Sequence, residues 1–127
     1  MKAVMVGVAM LLVAGVASAE DPVATFQGFC DDWMQRLLSR ESVNVANIQW
    51  QTDDGGVRGD YIGYTPDHVC ITKTGTAGVP VGKITYREVR YEKRGGSVAE
   101  AERNTAAAVE TTEVTEIFRY ASGQWIY

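Results

Sequence analysis

Histidine occurs once in this chain, cysteine twice and proline three times, and each scarcity removes a class of chemistry. Zinc centres draw on several Cys and His at short fixed spacings, which His68, Cys30 and Cys70 do not supply. The Cys-X-X-Cys spacing of redox-active dithiols is absent. So are the Gly-rich phosphate loop and the nucleophile elbow. Basic residues are in deficit too: 12 Lys and Arg stand against 16 Asp and Glu, for a net charge of −4. Nucleic acids and anionic membrane surfaces reward clustered positive charge, so neither is expected as the main partner. No motif calls for a cofactor.

What is present begins with "MKAVMVGVAMLLVAGVASA". One positive charge, Lys2, precedes an apolar run, and the small residues Ala17-Ser18-Ala19 complete a signal-peptidase pattern. The run is shorter than the ~20 residues of a spanning helix. The expectation is a signal peptide over 1–19, no stable membrane span after cleavage, and a single domain over 20–127. Loss of Lys2 moves the net charge from −4 to −5. The protein is then expected in the periplasm or outside the cell.

Export gives the two cysteines a meaning. In an oxidising compartment an even count reads as disulfides, and two cysteines allow one pairing, Cys30 with Cys70. Closing that loop is worth roughly 4 kcal/mol on chain-entropy grounds.

Along the chain, Asp21-Pro22 looks like a helix start, with an acidic cap and proline in the first turn. Phe26, Phe29, Cys30, Trp33, Met34, Leu37 and Leu38 recur at helical spacing, with Asp31, Asp32, Gln35, Arg36 and Arg40 on the other side. "VNVANIQWQ" then reads as passing directly into strand, with "TDDGG" as a turn before "VRGDYIGY". "TPDH" reads as a further turn leading into "VCITK". "VGKITYREVRYEKR" is one long strand whose apolar parity changes between Tyr86 and Val89, which predicts a bulge or sharp twist near Arg87-Glu88. Ser97-Val98-Ala99-Glu100 fits a capping box for a short helix or belongs to a flexible excursion. "TEVTEIFRYA" and "QWIY" close the chain.

The fold class expected is α+β: one long N-terminal helix packed on a coiled, mostly antiparallel sheet of about six strands. The leading "FQGFCDDWMQRLLSRES" helix and the closing "EIFRYASGQWIY" hairpin resemble those of the cystatin-like roll and the related nuclear transport factor 2-like superfamily. The chain also looks like one of the short exported proteins of Gram-negative bacteria. Two activities follow as implications of that resemblance. One is an isomerase or dehydratase with a buried acid, whose aspartate base has no counterpart position in this sequence. The other is protease inhibition, but "IQWQTDDGGV" departs from the Gln-X-Val-X-Gly hairpin of cystatins.

The remaining polar clusters have plain readings. Asp31 and Asp32 lie outside the apolar stripe, on a solvated helix face. Asp53-Asp54-Gly55-Gly56 with Asp60 lacks calcium-loop spacing and suits a hairpin turn. His68, beside Asp67, has no nucleophile at a motif spacing and reads as a turn residue. Arg87, Arg90 and Tyr91, in a strand with Lys93, Arg94 and Tyr86, form the candidate binding strip, since Arg and Tyr favour recognition surfaces. Glu88, Glu92, Glu110, Glu113 and Glu116 account for the same pattern as a cross-strand charge ladder without a ligand, and the ladder is the reading preferred. The function expected is a non-enzymatic exported module that binds a small molecule or protein partner in the helix–sheet concavity or on the sheet. The isomerase-like enzyme is the alternative.

Overall fold

The computed structural model describes residues 21–127, so the expected signal peptide lies outside the described residues. Asp21 caps the first helix, α1 (Pro22–Ala46), its carboxylate accepting the Val23 N–H at 3.0 Å, with Pro22 in the first turn. Such a start satisfies one of the N–H groups that a helix leaves free. The helix continues through Val43, Asn44, Val45 and Ala46, which corrects the expected direct passage into strand. Five strands follow: β1 (Gln51–Asp53), β2 (Gly56–Thr74), β3 (Pro80–Gly95), β4 (Ala107–Ala121) and β5 (Gln124–Ile126). They pair in sequence order, every neighbour antiparallel, in one curled sheet. A short helix, α2 (Val98–Arg103), joins β3 to β4, with Ser97 as its cap and Glu100 reaching back to the Gly96 N–H.

The strand count is five and not about six because the expected turn at Pro66-Asp67 does not form. β2 runs straight through, and its pairing with β3 jumps from Tyr64↔Glu88 to His68↔Tyr86. Thr65, Pro66 and Asp67 thus stand opposite the single residue Arg87, two more than a regular ladder would hold. Pro66 has no N–H to give a ladder, and a bulge is one of the few interior places that tolerate it. The His68 ring donates to the Pro66 carbonyl, Nδ1 to O at 2.7 Å, and closes the bulge on itself.

The parity change of β3 is present, but the irregularities sit in its neighbours, at Thr65–Asp67 of β2 and at Val109 of β4. The buried positions of β3 are Gly82, Ile84 and Tyr86, then Val89. β3 stays in unbroken register with β4 from Val81 to Arg90, so Val89 lies on the face opposite Tyr86. What changes is the cover. The start of α1 lies over the first half, where a side chain at Gly82 would run into the Phe26 ring. α2 covers the other face farther on, with Ala101 against Gly95.

The core is where α1 meets the sheet. Phe26, Cys30, Met34 and Leu37 pack with Tyr64, Ile84, Tyr86, Phe118 and Trp125. Phe26 is its centre, fully buried, with ring centroids 4.6 Å from Trp125 and 5.9 Å from Phe29. Phe29, Trp33 and Leu38, the flank of the stripe, are only half-buried. Cys30 and Cys70 form the expected disulfide, Cα to Cα 6.4 Å, tying α1 to β2.

Candidate functional site

Two helix side chains do sheet chemistry. Asn44 donates from Nδ2 to the Ile62 carbonyl at 2.9 Å, and Glu41 accepts the Tyr64 N–H on Oε1 at 2.9 Å. Ile62 and Tyr64 lie on the outer edge of β2, beyond the short β1, and their outward backbone groups have no strand to pair with among the described residues. Unpaired edge groups invite another strand, and here the helix satisfies them from its own side chains. Both residues continue the buried helix stripe, in the order Phe26, Cys30, Met34, Leu37, Glu41, Asn44. A polar pair at stripe positions is the sequence signal that points to such a role.

The part of the sheet that α1 leaves open is a shallow cleft of about 200 Å³ lined by Ile62, Glu88, Arg90, Glu110 and Thr112. The register places Ile62, Arg90 and Glu110 in one row across three strands, with Glu88 and Thr112 in the next. Arg90 anchors it. Its Nη1 lies 3.0 Å from Asp60 and its Nε 3.5 Å from Glu110, so the guanidinium is held between two carboxylates.

The three residues of the expected strip do not share a surface. Strict alternation along β3 puts Arg90 on one face and Arg87 and Tyr91 on the other. Arg87 is exposed opposite Glu113, and Tyr91 is stacked on Tyr61 at 5.2 Å. Burial, together with the charges of Glu41 and the neighbouring Tyr91, raises the Tyr61 phenol above its ordinary value.

The other sequence candidates are separate from this cleft. Asp31 and Asp32 are exposed. Asp53 accepts the Gly55 N–H at 2.8 Å and shapes the β1–β2 turn, where Gly56 takes a φ of 113°. His68 lies beside the disulfide, and its ring nitrogen and the two sulfurs fall within 4.8 Å of one another. Both sulfurs are bonded to each other, so this group offers a metal only the imidazole. Among the described residues no charged side chain is buried. No helix among them is long and apolar enough to cross a membrane. Comparison with protein-family models, with curated proteins and with solved structures finds no match.

Proposed function

We propose that the protein is an exported, non-enzymatic interaction module that engages its partner through the open side of the sheet. One observation carries this reading. The concave face under the start of α1 is filled by Phe26, Phe29, Trp33, Phe118 and Trp125, whereas the Arg90 cleft is open. An isomerase of the kind the family resemblance implies needs an acid held inside the concavity. Every Asp and Glu among the described residues reaches solvent, which favours binding over catalysis. The disulfide accords with export to an oxidising compartment. The cleft presents a paired guanidinium flanked by carboxylates and Thr112, a surface suited to polar groups of a protein or small molecule.

Photo-crosslinking in the native periplasm tests this. A probe at Thr112, in the cleft, should trap a discrete adduct that is lost on Arg90→Ala at equal stability. The same probe at Gln27, on the exposed face of α1, should not. No adduct from Thr112, or equal labelling from both positions, would overturn the proposal.

A further inference from the structure

The two edges of this sheet are treated differently. As far as Tyr64 the edge at β2 is covered, by β1 and by Glu41 and Asn44, and the remainder from His68 to Thr74 carries Lys73. Among the described residues the edge at β4 is paired only where β5 meets it, at Arg119, Tyr120 and Ala121. Within antiparallel pairs, backbone groups alternate between the two sides of a strand. Ile62 and Tyr64 turn theirs away from β3, so their partners Arg90 and Glu88 turn theirs toward Glu110 and Thr112 of β4. The odd residues of β4 therefore point outward: Thr111, Glu113, Thr115 and Ile117. Arg119 and Ala121 have the same parity and are the ones opposite Ile126 and Gln124 of β5.

Edges exposed to water are usually blunted by lysine, proline or a covering segment. From Ala107 to Phe118 there is no Lys, Arg or Pro. Val109, Thr111, Thr112, Val114, Thr115 and Ile117 are instead β-branched, the residues that favour strand. The charges have a direction as well. Asp60, Arg90 and Glu110 alternate in sign across the sheet, as do Arg87 and Glu113, and both series end at the open edge on a carboxylate. Glu116 adds a third. A second copy would crowd two sets of three glutamates into one seam, whereas a basic strand would extend the alternation.

Resting on the interaction-module reading, we infer that the β4 edge from Thr111 to Ile117 takes up an extended, Lys- or Arg-bearing segment of another protein as an added strand. Backbone pairing supplies the attachment and Glu110, Glu113 and Glu116 select the charge.

The probe is a capped peptide, Thr-Lys-Val-Arg-Val-Lys-Thr, with a control in which the basic residues are Glu. Saturating basic peptide should slow amide exchange at least tenfold at Thr111, Glu113, Thr115 and Ile117, leaving Thr112, Val114 and Glu116 unchanged. Thr115→Pro removes one outward N–H that the folded sheet does not use, so it should abolish this protection while lowering the melting temperature by no more than Thr115→Val, which removes only the exposed hydroxyl pair with Thr85. Glu113→Lys keeps the backbone and should weaken the peptide roughly tenfold. Absence of the alternating protection, equal binding of the Glu control, or indifference to both variants would overturn the inference. Concentration-dependent protection without peptide would assign the edge to a second copy, which also overturns it. Loss of peptide binding with the Thr112 adduct retained would sink this inference and leave the module reading standing.

Discussion

Glu41 on the helix accepts the backbone N–H of Tyr64 on the strand, 2.9 Å from nitrogen to Oε1, across 23 residues of sequence. The contact replaces a strand that the sheet does not have. Its space is provided by Gly63, where any Cβ would collide with the Glu41 carboxylate and crowd the Tyr91 ring. Helix, strand edge and glycine are therefore one device.

Glu41→Ala should cost about 1–3 kcal/mol, the penalty of stranding a part-buried donor. Urea denaturation measures it, and exchange of the Tyr64 amide should accelerate selectively. Asn44→Ala, which frees the Ile62 carbonyl, should couple to it, because both side chains hold the same edge. Gly63→Ala should be at least as damaging as Glu41→Ala. A Glu41→Ala protein as stable as wild type, with an unchanged Tyr64 amide, would remove the device.

The core prediction ranks two aromatics. Phe26→Ala should cost about 3–5 kcal/mol, since the side chain is fully enclosed and packs on Gly82, Phe118 and Trp125 of three successive strands. Trp33→Ala should cost roughly half as much, because part of the indole already faces water. Thermal melts of the two variants decide it, and a larger loss at Trp33 would contradict the packing order.

Which parts of this architecture are legible in the sequence follows from how local their causes are. Asp21-Pro22, the helix stripe and the single cysteine pairing depend on neighbouring residues or on counting, and all are present as read, while at Ser97 the capped helix is formed and not the flexible excursion. Val43-Asn44-Val45 alternates like a strand, yet it forms the last turn of α1 because Asn44 has an edge carbonyl to bind. Pro66-Asp67 has turn chemistry, but a bulge needs the same residues and only pairing with β3 distinguishes the two. The candidate cleft is half visible. Arg90 stands out by type, and strict alternation separates it from Tyr91, but a bulge expected near Arg87-Glu88 would have put Arg87 on its face, and only the pairing shows that β3 has none there.

The disulfide joins residues 40 apart and ties the core helix to β2. Protein from an oxidising compartment should show no titratable thiol until unfolded and reduced. Replacing both Cys30 and Cys70 by Ser should lower stability by roughly 2–4 kcal/mol, a fall of many degrees in melting temperature for a small domain. Two reactive thiols in the native oxidised protein would refute the tether.

Arg90 bridges Asp60 and Glu110 with its side chain about 40% exposed, so water screens both pairs. Arg90→Ala should therefore cost under about 1 kcal/mol, and less still in high salt. Denaturation at low and high ionic strength checks this. A loss of several kcal/mol would make Arg90 a structural residue and disqualify it as a stability-neutral probe of the cleft.

The last prediction concerns alkaline pH. The Tyr86 hydroxyl donates to Glu116 Oε1 at 3.1 Å from a nearly buried position. Burial, and then the Glu116 charge and hydrogen bond, raise its phenol well above the ordinary 10.0. The folded state thus holds a proton that the unfolded chain releases near pH 10. A folded value raised above the unfolded one gives stability that is complete below the unfolded value and declines as pH rises beyond it. Denaturant midpoints should therefore fall steeply above about pH 10, after a range near neutrality in which this group contributes no slope. Tyr86→Phe should remove part of the alkaline slope, at a cost of about 1 kcal/mol for the lost hydrogen bond. Tyr61, also raised, should account for some of the remainder. If Tyr86→Phe keeps the full alkaline slope, the proton is held elsewhere, and the Tyr86–Glu116 pair has no part in the pH dependence.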